Sequence, residues 1–154
     1  MTSEAKAKAL ADLAAAHVGF KEAVRGIPED RLSVPMHGEW SAKDLIAHVS
    51  SLNELTALDL RRLARGHVPF LAAFREADVD EWNAFFMRGR KLFPLAQVFH
   101  ELEGCYDMLV EALGAVPQAM FEPGNMLPNV LAIVVGHYGE HARHIREWRE
   151  GEGV

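Results

Sequence analysis

"GEWSAKDLIAHVSSLNELTALDLRRLARG", residues 38–66, reads as one amphipathic helix with both ends marked. Ser41 is a good N-cap, and Asp44 stands where the acid of a capping box belongs. Leu45, Val49, Leu52, Thr56 and Leu63 then share one face. The helix should end near Arg65, with Gly66 as its stop. A face of that length must be buried against other helices, so the rest of the chain is expected to supply them.

On the N-terminal side, Leu10, Leu13, His17, Phe20, Val24 and Ile27 recur at steps of three and four. They predict a first helix from about Ser3 to Arg25, stopped by Gly26 and Pro28. On the C-terminal side, residues 66–93 have no single period and are broken by Pro69 and Pro94. A short helix around "DEWNAFFMRG" is expected there, capped by Asp80. A third long helix carries Leu95, Val98, Phe99, Leu102, Cys105, Tyr106, Leu109 and Leu113. Residues 114–127 read as a Gly- and Pro-containing loop. The last long helix runs from about Pro128 to Glu150, with Pro128 suited to its first turn.

Four long helices without an alternating strand pattern imply an all-α fold, a four-helix bundle in one domain over residues 1–154. The segment between the second and third long helices is long enough to cross the bundle, so those two could run parallel.

Composition narrows the function. The net charge is −6 without a basic block, which argues against nucleic acid or an anionic membrane as partner. No stretch approaches the ~20 apolar residues of a membrane span. The charged start, with Glu4, Lys6, Lys8 and Asp12, does not read as a secretory signal. A single cysteine, Cys105, rules out an intramolecular disulfide and fits a reducing, cytoplasmic setting. Lying on an apolar stripe, it reads as a buried inert thiol. Trp40 and Trp148 read as packing residues. Glu54, Asp59 and Asn83 could line a pocket, with solvated surface as the default for each. There is no phosphate-binding Gly-rich loop, no G-x-S-x-G and no paired-cysteine zinc pattern.

The chemistry concentrates in "HYGEHARHIREW", residues 137–148. With His137 at zero on a helical wheel of about 100° per residue, His141 falls near 40° and His144 near −20°. Val130, Val134, Ile145 and Trp148 occupy roughly 20–80°, whereas Glu140 and Glu147 lie near −60° and −80°. His137 and His141 therefore face inward, and their i, i+4 spacing lets two imidazoles converge on one ion. His144 leans towards the acidic flank. A third ligand must come from another helix. His48, beside Leu45 and Leu52, is the candidate, and His17 is the competitor. His37, His67 and His100 look ordinary. The bland alternative is a set of partly buried histidines, each with its own hydrogen-bond partner.

These motifs resemble the DinB-like superfamily. "GEWSAKDLIAHV" is similar to its "W-S-x-K-D-x-x-x-H" start of the second helix. "HYGEHARHIREW" is similar to its closing "H-x-x-x-H" helix, and "DVDEWNAFF", residues 78–86, to a stretch between the second and third long helices. The resemblance implies a four-helix bundle with a long crossover and parallel second and third helices. It also implies a divalent ion on three histidines, which carry over onto His48, His137 and His141. Zinc or nickel would come first, with iron and manganese also compatible.

In some relatives a Glu replaces one histidine. Glu140 with His144 would offer that pattern, but on the wrong side of the wheel. Activities implied are S-transfer from a bacillithiol- or mycothiol-type thiol to a small electrophile, or a detoxifying hydrolysis, the ion activating thiol or water. The isomerase branch carries a further C-terminal domain that residues 1–154 do not include. The alternative is a non-catalytic, metal-containing binding or sequestering protein. A third possibility is a helical stress module with no ion. Many relatives pair through their helices, so a homodimer is expected.

Overall fold

The computed structural model describes residues 3–154. Five α-helices make up most of it: α1 (Glu4–Val24), α2 (Ala42–Leu63), α3 (Val79–Arg90), α4 (Leu95–Ala115) and α5 (Met126–Glu152). Four of these are the long helices expected from the apolar periodicity, and α3 is the short one. None is long and apolar enough to cross a membrane.

The helix ends show why the boundaries fall where they do. The Ser3 hydroxyl accepts from the Lys6 amide at 3.2 Å and opens α1. At α2 the capping box is complete: the Ser41 hydroxyl accepts from the Asp44 amide at 3.2 Å, and the Asp44 carboxylate accepts from the Ser41 amide at 2.9 Å. Gly66, at φ +76°, takes the left-handed conformation just beyond α2. Helix α3 begins one residue before Asp80, at Val79. Asp80 therefore lies inside its first turn rather than at its cap, where Asp78 stands. Helix α5 begins two residues before Pro128. Proline is tolerated there because the first helical amides have no carbonyl partner within the helix.

Helices α2 and α4 form one packed pair, α1 and α5 another. Arg90 pairs with Glu54 of α2 and lies 3.3 Å from Glu101 of α4; farther along both helices, Arg61 reaches Glu111 at 3.9 Å. The paired positions thus advance in the same sense on α2 and α4. On the other side, Arg146 donates to the Gly19 carbonyl, and Arg149 donates to the Ala23 and Arg25 carbonyls at 2.9 and 2.7 Å. The Ala23 and Arg25 carbonyls at the α1 end thereby gain a charged donor. At the opposite end, Lys6, only 9% exposed, donates to the Gly114 and Val116 carbonyls at 2.7 and 2.9 Å and closes the end of α4. Between the two pairs lies a core that includes Leu13, Phe20, Leu45, Leu60, Leu109 and Ile145.

Two features depart from a purely helical reading. Residues Pro35–His37 and Trp40–Ser41 pair as a small antiparallel hairpin, β1 and β2. Gly38, at φ +60°, sits in its turn. Asp59, expected at the surface, is 1% exposed. Its carboxylate accepts from the backbone amides of Phe70 and Leu71 at 2.6 and 2.8 Å, pinning the start of the crossover segment to α2.

Candidate metal centre

Helix α2 presents His48 from its buried face, and α5 presents His137 and His141 one turn apart. The wheel on "HYGEHARHIREW" and the apolar face of α2 lead to the same point. The His137 Nε2 lies 2.6 Å from His48 Nε2 and 3.1 Å from His141 Nε2. One ring nitrogen from each histidine falls within 4.8 Å of the other two. The ring centroids are 4.4 to 5.0 Å apart, with the planes strongly tilted, so nitrogens meet rather than faces. Trp40, delivered by the hairpin, packs edge-on against His48 at 4.9 Å and walls that ring in.

Charge decides what such a cluster can hold. Burial lowers the His48 pKa to about 3 and that of His137 to about 2, with neighbouring imidazoles adding to the effect in each. Burial also dominates at His141, lowered to about 4 although Glu140 opposes the shift. All three are neutral at pH 7, the state in which imidazole is a ligand. Three neutral rings pointing nitrogens at one another cannot satisfy every contact by hydrogen bonding, because each close pair needs one proton and one lone pair. A cation accepts all the lone pairs at once.

Tetrahedral bonds of ~2.0–2.1 Å put ligand nitrogens ~3.3 Å apart, so to share such an ion the His48–His137 pair, 2.6 Å apart, would open while the His137–His141 pair, at 3.1 Å, would barely move. The buried His141 Nδ1 has no protein partner. With Nε2 on an ion this nitrogen would carry the ring proton, and it has no protein acceptor for it among the described residues.

The competitor His17 lies elsewhere, with both ring nitrogens committed. Its Nδ1 is 3.0 Å from the Tyr138 hydroxyl and its Nε2 3.2 Å from Glu103. The Tyr138 oxygen also accepts from Asn53 Nδ2 at 2.5 Å. The proton order follows: Asn53 donates to Tyr138, Tyr138 to His17, and His17 Nε2–H to Glu103. Burial depresses the His17 pKa, in keeping with that neutral tautomer. Here the bland reading of a buried, partnered histidine holds.

Beside the trio opens a pocket of about 670 Å³. Its walls come from the hairpin, α2, the crossover segment, α3 and α5. His144 lines it, stacked on His37 with ring centroids 4.4 Å apart. His144 is therefore outside the trio but turned to the pocket rather than simply to solvent, and His37 has a place that its loop position did not suggest. Asn83 lines the same pocket, whereas Glu54 is engaged with Arg90. A second cavity, of about 710 Å³, lies against Lys21, Arg25, Phe99 and Glu103 and gathers no comparable set of ligands. Cys105 is buried, and burial pushes its thiol up to about 11, so it has little thiolate character.

No family model, curated protein or solved structure matches the chain.

Proposed function

We propose that the protein is a metal-dependent enzyme of the DinB-like kind, a four-helix bundle whose α2 and α4 run parallel across a long crossover. His48, His137 and His141 hold one divalent ion, zinc or nickel first. The reaction is transfer of a small thiol to an electrophile, or a related detoxifying hydrolysis, in the cytoplasm. The convergence of three neutral imidazole nitrogens beside an open pocket carries the reading. A divalent ion bound there would lower the pKa of a coordinated thiol or water towards neutrality.

The chain's own residues supply the setting. Trp40 encloses His48, the crossover walls the pocket, and His37 with His144 stands at its edge. Cys105 is too buried to serve as the nucleophile, which makes the thiol a cosubstrate. Exposed apolar residues such as Val68, Phe70, Met126 and Ile133 offer surface for the homodimer we also propose. Light scattering at a series of concentrations tests it.

The function is tested in two steps. Elemental analysis of protein purified without an affinity tag should find about one divalent ion per chain. Turnover of model electrophiles with a panel of small thiols should then depend on that ion. Metal without turnover favours a binding or sequestering protein that keeps the ion. Absence of both removes the enzymatic reading.

A further inference from the structure

The pocket beside the histidine trio has an unusual balance of charge. Its charged side chains other than histidine are Glu39, Asp80 and Glu140, and no lysine or arginine lines it among the described residues. None of the three carboxylates has an ion-pair partner among the described residues. Arg143 pairs with Glu147 at 2.8 Å while its other terminal nitrogen lies 3.3 Å from His144 Nε2 at the pocket edge, and Arg146 and Arg149 are turned to α1. All three carboxylates are exposed at the pocket rim, where water screens them in part.

The remaining wall is apolar. Phe74 and Phe86 line it, and each stacks on Trp82, at 4.8 and 5.9 Å between centroids. Leu71, held from behind by Asp59, continues that wall. An anion entering here would meet three carboxylates and, among the described residues, no lysine or arginine in the wall itself. An apolar or aromatic body would cover the wall, and a hydroxyl or ammonium would find acceptors at the rim.

We propose that this pocket selects against anions. Its ligand is a small molecule with an apolar body, of the size of a substituted benzene ring, whose polar part is neutral or cationic. A thiol cosubstrate would then be hydroxylic or amino in character rather than a carboxylate. The proposal rests on the pocket being the substrate site and deepens that reading. It draws its selectivity from the walls and not from the ion, which lets the two fail separately.

The test is calorimetric titration with three probes of one shape: benzyl mercaptan, its 4-carboxylate and its 4-aminomethyl derivative. Each is titrated into the metal-free and the cobalt-loaded protein. In both preparations the carboxylate should bind at least ~10-fold more weakly than the other two. In a Glu39→Lys/Asp80→Lys protein that penalty should shrink to less than ~3-fold. Equal or tighter binding of the carboxylate overturns the proposal. So does a penalty unchanged by the double substitution, or no binding of any probe at millimolar concentration. Failure to take up cobalt would count against the metal centre alone, while the metal-free titrations still decide the selectivity.

Discussion

At the scale of single residues, the distinction that matters is between a histidine with protein partners and one without. His17 has both nitrogens satisfied, by Tyr138 and Glu103. His48, His137 and His141 have chiefly one another. Replacing any one of these three by Ala should lower metal content from about one ion per chain to a small fraction, because two imidazoles alone hold an ion far less firmly. His144→Ala should leave the metal content unchanged, since its ring meets His37 and stands outside the trio. Elemental analysis of the four purified variants separates the cases.

Cys105→Ala should keep full activity at a cost of ~1 kcal/mol in unfolding free energy, the loss expected for a small buried group. Activity and chemical denaturation of the same sample check both halves. The inward pair was legible from spacing, since His137 and His141 share a face with Val134 and Ile145. His37 was not, because it sits on a hairpin whose strands have three and two residues, too short for an alternating pattern to register.

At the scale of elements, the long helices were legible because each carries an apolar face and a recognisable end. The Ser41–Asp44 box and the Gly66 stop are local signals, written within a few residues of what they control. What joins the elements is not local. Lys6 reads as a surface lysine on an Ala-rich helix, yet its ammonium closes the end of α4 more than a hundred residues away. Lys6→Ala should therefore destabilise the fold by ~1–3 kcal/mol by leaving two carbonyls without their charged donor. Lys8→Ala, at an exposed i, i+4 pair with Asp12, should change it by less than ~0.5 kcal/mol. Urea denaturation of the two variants makes the comparison.

Asp59 is a second such case: an acid in a helical register that proves to be the anchor of the crossover. Asp59→Ala should speed amide hydrogen exchange at Phe70 and Leu71 well beyond the general loss of protection across α2. Exchange that rises equally everywhere would make Asp59 a global rather than a local anchor.

At the scale of the whole molecule, the trio ties stability to pH and to metal. Each of its imidazoles has a folded-state pKa depressed to about 2, 3 or 4, well below the ordinary value of 6.5. In the metal-free protein the unfolded chain therefore takes up protons that the folded chain refuses once the pH falls below about 6.5. Stability is complete above that pH and is lost as pH falls towards the folded-state values, by about 2 kcal/mol per imidazole at pH 5. Thermal melting of metal-free protein between pH 7.5 and 5 should show the decline, and His137→Ala should make it shallower. Bound metal should raise the melting temperature at pH 7.5 and, because the folded imidazoles are already neutral, release almost no protons from them on binding above pH 5.

The central claim is that His48, His137 and His141 share one ion. The most direct measurement is a crystal structure of the metal-loaded protein recorded across the metal's absorption edge. The account predicts a single anomalous peak with three imidazole nitrogens about 2.0–2.2 Å away and at least one coordination position facing the pocket. A peak placed elsewhere, or a metal-soaked crystal with no peak between these three rings, would contradict it.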